Sequence, residues 1–182
     1  MPPVVLSPAS SGIIKQPNVP LPSRVPERSG SQPSVPGGMP ANDPVRRILS
    51  MGAEQAFTAA HERLTSLAQV KIDGTGDAAV KNAAAAAAAL TETSMLLQQG
   101  HRKLDAMTSV SPELAANLMA SSTQLAAIAP AVVSGAATGK FEHVAPRIAA
   151  LIGAATDITG VALDAAQRAT RAASTPSSAG YL

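Results

Sequence analysis

The side chains best suited to acid–base or metal chemistry are three histidines, His61, His101 and His143, and they are scattered along the chain. His61-Glu62 opens like a zinc-binding HExxH motif, but Thr65 stands where the second histidine belongs. One helical face therefore lacks the paired imidazoles that hold zinc. There is no cysteine, which removes thiolate ligands, a thiol nucleophile and disulfides. No serine lies in a G-x-S-x-G nucleophile elbow.

Three glycine-containing strings bear on phosphate chemistry. Gly74-Thr75-Gly76-Asp77-Ala78-Ala79 fits the loosened dinucleotide fingerprint G-x-G-x-x-A. That fingerprint works inside a parallel sheet, and the chain offers one short strand signal, Val70-Lys71-Ile72, so the string reads as a capped loop. Gly135-Ala136-Ala137-Thr138-Gly139-Lys140 has three residues between its glycines where a phosphate loop has four. Phe141 then fills the place of the Ser or Thr that would meet magnesium. Gly100-His101-Arg102 lacks the leucine–arginine pair of a Gly-x-Leu-Arg finger loop. The sequence predicts no catalytic residue, no metal site and no cofactor, and so a non-enzymatic protein.

Composition points to what the elements are. Of 182 residues, 38 are alanine and 3 are aromatic, and charged residues make up 14%. Of the 15 prolines, 11 precede Val45. The chain divides there into two different polymers: a Pro/Ser-rich tail over residues 1–43 and an alanine-rich body over 44–174, with a short disordered end over 175–182. In the tail, prolines recur too often for helix or sheet, and apolar residues show no period, so it is expected to stay disordered.

The body predicts an all-α antiparallel four-helix bundle. Asp43-Pro44 caps the first helix, whose apolar stripe runs from Val45 through Leu49, Ala56, Ala60 and Leu64 to Ala68. Asp77 caps the second, built on the run Ala83–Ala89, with Gly100 as a weak point. Ser111-Pro112-Glu113 opens the third, which Pro130 should kink or break. The fourth starts near Phe141 or Pro146 and carries Gly153 and Gly160, where a neighbouring backbone is expected to press close. The expected core consists of Leu64, Leu67, Leu96, Leu97, Leu104, Leu118, Leu125, Ile148, Leu151, Ile152 and Ile158. No window of about 20 residues combines freedom from charge and from proline, which argues against a membrane span.

Alternating helix directions would gather Arg46, Arg47, His101, Arg102, Lys103, Arg168 and Arg171 at one pole, a surface for an anionic partner such as membrane lipid headgroups. The net charge of +2 is too small for a nucleic-acid binder. Outward faces rich in Ser, Thr, Gln and Ala, such as Ser121-Ser122-Thr123-Gln124, suit contact with another helix, whether of a partner or of a second copy in a homo-oligomer.

The tail carries Pro3 and Val4, has no acidic residue before Glu27, and is rich in Ser and Pro. In these features it resembles the secretion region of type III effectors from Gram-negative plant pathogens. The resemblance covers roughly the first 45 residues. It implies export into a host cell, a secretion chaperone on the N-terminal region, and a host protein as target. The alternatives are a bacterial cytoplasmic protein that self-associates and a peripheral membrane-binding bundle. Two PxxP cores, Pro17–Pro20 and Pro33–Pro36, lack the flanking basic residue of SH3 ligands and read as linker.

Overall fold

A computed structural model of the chain describes residues 43–72 and 75–175, and all regular structure among them is helical. The expected secretion region and both PxxP cores lie outside the described residues. There are five helices here: α1 (Pro44–Ser50), α2 (Ala53–Ala68), α3 (Asp77–Met107), α4 (Pro112–Ala137) and α5 (Phe141–Ser174).

Two of the expected caps form. The Asp43 carboxylate accepts from Val45 N at 3.0 Å, and Ser111 Oγ accepts from Leu114 N at 3.2 Å, each ahead of a proline in the first helical turn. The cap of α3 is Gly76 at φ +100°, and Asp77 is the first helical residue. Asp77 still stabilises the helix from there, because its charge faces the amide end of the dipole. Val70-Lys71-Ile72 forms no strand; Ile72 instead buries its side chain.

The first expected helix is two. Met51 and Gly52 adopt extended backbone, with ψ of 142° and 173°. Gln99 on α3 explains the break. Its side chain is 5% exposed, and its Nε2 donates to Leu49 O at 3.0 Å and to Met51 O at 3.3 Å. Last-turn carbonyls of a helix have no partner within it. Here a buried amide meets them, and neither group is left unsatisfied. Gln55 Oε1 accepts from Gly52 N and restarts the chain as α2. α1 consequently buries Ile48, while Val45 and Leu49, expected inside, are 41% and 52% exposed.

Substituting Gln99→Leu strands those two carbonyls and should cost about 1–3 kcal/mol. Hydrogen exchange is expected to accelerate at Arg47 and Met51, whose amides close α1 on Asp43 O and Ile48 O, with little change in α4. Unaltered exchange in α1 would show that Gln99 does not hold it.

The buried positions repeat with one period. In α2 they include Ala53, Phe57, Ala60, Leu64 and Leu67, and in α3 Ala79, Ala83, Ala86, Leu90, Thr93, Leu97, Gly100 and Leu104. In α4 they include Leu118, Ser122, Leu125, Ala129, Val132 and Ala136, and in α5 Ile152, Ala155, Thr159, Ala162 and Ala166. Each series steps alternately by four and three, the 3.5-residue repeat that keeps one seam facing a neighbour. α2 and α4 each pack on both α3 and α5, and α1 rests on α3.

Most of the expected core is buried, but Ile148, Leu151 and Ile158 are only half-buried at its edge. Phe57, Leu90, Ile128 and Val132 belong inside as well. Of the 25 buried apolar residues described, 11 are alanine, so each contributes little transfer energy. Thr93 and Thr159 fit the apolar seam because their hydroxyls donate to Ala89 O and Ala155 O, one turn back.

Close packing occurs at glycines other than those expected, against a side chain at Gly100 and against backbone at Gly135. A Cβ on Gly100 would stand 2.6–2.9 Å from Cε1, Cζ and Cδ1 of the Phe57 ring, and one on Gly135 would meet Phe141 Cα at 3.3 Å. Gly153 and Gly160 have open space where a Cβ would go. α3 continues through Gly100 because the Phe57 ring fills the missing side chain's place. α4 continues through Pro130 to Ala137. Both Pro130 and Ala126, whose carbonyl loses its amide partner, are exposed, so the missing bond falls on the solvent side of the helix.

Candidate interaction surface

The seven basic residues of the expected pole lie on α1, α3 and α5. Arg46, Arg47, Arg102, Lys103, Arg168 and Arg171 are exposed and His101 is half-buried. Arg47 lines a groove of about 300 Å³ with Glu62, Arg63 and Glu92, so two carboxylates share its surroundings. The Gln99 bonds bring the end of α1 within a turn of His101, Arg102 and Lys103. Arg168 Nε donates to Asp164 O at 3.3 Å, a contact inside α5. The ion pair found among the described residues is Arg63 to Glu92, at 2.6 Å between α2 and α3. With these side chains 42% and 28% exposed, it contributes at most about 1 kcal/mol.

Ser122, expected on an outward face of the third helix, is instead fully buried, in a polar network between α3 and α4 that sequence reasoning missed. Ser94 Oγ and Ser122 Oγ are 3.0 Å apart, Gln98 Nε2 donates to Ser122 Oγ at 2.8 Å, and Ser122 Oγ lies 3.3 Å from Ser94 O. Their hydroxyls bond one another, and no imidazole or carboxylate takes part, so this network fixes helix register and does not activate a nucleophile. A serine at an inner heptad position, as Ser122 is, was the available signal. Nδ1 of His61 is buried without a hydrogen-bond partner. No group of three or more His, Asp or Glu among the described residues is placed to hold a metal ion.

What distinguishes the outside is α4. After Glu113 it carries no charged side chain through Ala137. Ala116, Met119, Thr123, Ala126 and Pro130 follow one another at spacings of three and four along its outer side, and all are exposed. Met119 is 46% exposed. Beside this stripe, a groove of about 460 Å³ runs between α4 and α5, lined by Asn117, Ser121, Gln124, Asp157 and Val161 among others.

No family model, curated protein or solved structure matches this chain.

Both α4 and α5 are long and apolar enough to cross a membrane by length and composition. The helix α4 qualifies with Pro130 inside it, because that proline does not end it. Of the most apolar window, 39% is buried in α4 and 22% in α5. Leu118, Leu125 and Val132 of α4 face the core, while the outer side presents Ala, Thr and Met.

Proposed function

We propose that this protein is a non-enzymatic bacterial effector, exported into a host cell, whose helical body docks a host protein on the outer face of α4. The uncharged, exposed stripe from Ala116 to Pro130 carries the reading. An outer helix face ordinarily holds charges that keep it hydrated, and a stripe of Ala, Met, Thr and Pro is easily desolvated by a partner.

The body behind that face is an antiparallel four-helix bundle of α2 to α5, with α1 as an appendage. Four-three spacing of the buried positions supports it, as do the cross-helix pairs Arg63–Glu92, Phe57–Gly100 and Ser94–Ser122. Across α2 and α3 the earlier Phe57 meets the later Gly100 and the later Arg63 meets the earlier Glu92, the order of an antiparallel pair.

The tail supplies the export half of the reading through its Ser/Pro composition and late first acid, with a secretion chaperone as its partner before export. A reporter fused behind residue 50 should be delivered into host cells by a type III-competent strain and retained by a secretion-defective one. Equal retention by both strains would remove the export claim.

A second reading, peripheral membrane binding, is favoured by the apolar lengths of α4 and α5. It predicts that the full chain floats with anionic liposomes and that Arg102 and Lys103 substitutions weaken flotation. Absence of flotation leaves the protein-docking reading in place.

A further inference from the structure

α5 carries two stripes. The inner one runs through Ile152, Ala155, Thr159 and Ala162 into the core. Two residues further along at every step lies an outer one: Ala154, Asp157, Val161, Asp164, Arg168 and Arg171, all exposed. A two-residue step turns about 200° around a helix, so the outer stripe looks away from the core. Its charges are ordered, with the two acids Asp157 and Asp164 ahead of the two arginines Arg168 and Arg171, and Asp164 just past the midpoint.

That order makes the stripe complementary to itself in one orientation only. Placed parallel, a second α5 would set Asp157 on Asp157 and Arg171 on Arg171. Placed antiparallel about an axis between residues 162 and 163, it opposes Asp157 to Arg168, Val161 to Asp164 and Ala154 to Arg171. Val161, 52% exposed, then lies near the axis, where an apolar side chain is best shielded from water. Asp157 also lines the α4–α5 groove with Asn117, Ser121 and Gln124, a seat with a carboxylate at its edge. The end of α5 is free to reach such a seat: from Thr170 to Thr175 every residue is exposed.

We propose that two copies of this chain pair through the outer face of α5, antiparallel, with Asp157 of each against the partner's Arg168. Each copy lays its projecting α5 end along the other's groove. This pairing is independent of the host-docking stripe, which occupies a different side of α4.

The test is sedimentation of the full chain over a wide concentration range, with two charge-reversed variants. Asp157→Arg with Asp164→Arg makes the stripe wholly basic, and Arg168→Asp with Arg171→Asp makes it wholly acidic. All four positions are exposed, and circular dichroism checks that each variant keeps its helices. The wild type should dimerise reversibly. Each variant alone should show a dimer dissociation constant raised about tenfold or more, and their equal mixture should recover dimer. A wild type that stays monomeric overturns the proposal, as do variants that dimerise like the wild type or a mixture that stays monomeric. Host-partner binding unaffected by these four substitutions would leave the α4 reading standing whichever way the sedimentation falls.

Discussion

Replacing Phe57 with alanine is expected to cost about 3–5 kcal/mol, the largest loss from any single side-chain truncation in this protein. The ring is 0% exposed and lies against Gly100, which has no side chain to move into the space. Most of its neighbours on the inner seams of α2 and α3 are alanine or leucine, so the cavity cannot close by one large rotamer change. Phe141, half-buried at the start of α5, should lose much less on the same truncation. Against a typical total of about 5–15 kcal/mol, the Phe57 loss consumes a large share. Urea unfolding would show it as a lower midpoint with an unchanged slope. A loss below that of Phe141→Ala would contradict the packing described.

The second large effect is Gly100→Ala, and here two opposing terms must be weighed. Alanine in a helix interior gains about 1 kcal/mol over glycine from backbone entropy. The added methyl would stand 2.6–2.9 Å from three atoms of a ring that is fully enclosed, an overlap typically costing about 1–3 kcal/mol in a packed core. The overlap should win, and Gly100→Ala should destabilise. In a Phe57→Leu background the overlap is relieved, and the same substitution should become neutral or stabilising. That reversal of sign is the signature of contact between the two residues. Additive effects in the four unfolding curves would mean that the ring and Gly100 do not touch.

Much of the helical architecture can be read from residue types because local signals agree with it. The alanine run Ala83–Ala89 forms a helix by propensity alone, and Asp43-Pro44 and Ser111-Pro112 mark starts that their side chains cap as expected. The departures come from partners far away in sequence. The apolar spacing from Val45 to Ala68 continues without interruption, and α1 is separated from α2 by Gln99, 50 positions from Leu49. Pro130 reads as a break until one sees that its side of α4 faces water.

The glycines differ by phase. Gly100 falls on the inner series of α3, between Leu97 and Leu104, whereas Gly153 and Gly160 fall off the inner series of α5. Arg47 of α1, a separate helix resting on α3, is placed among Glu62, Arg63 and Glu92. The uncharged outer stripe of α4 is legible in the sequence only as a scarcity of charge. Its continuity depended on the helix surviving Pro130.

The central claim is that the outer stripe of α4 docks a host protein, and calorimetric titration tests it most directly. The partner is first identified by photo-crosslinking from position 119 of the full chain and then purified. It should bind the wild type saturably, and Ala116→Lys with Thr123→Lys should weaken binding at least about tenfold while leaving the unfolding midpoint unchanged. Binding that survives both lysines, or a purified partner that does not bind the wild type, would contradict the account.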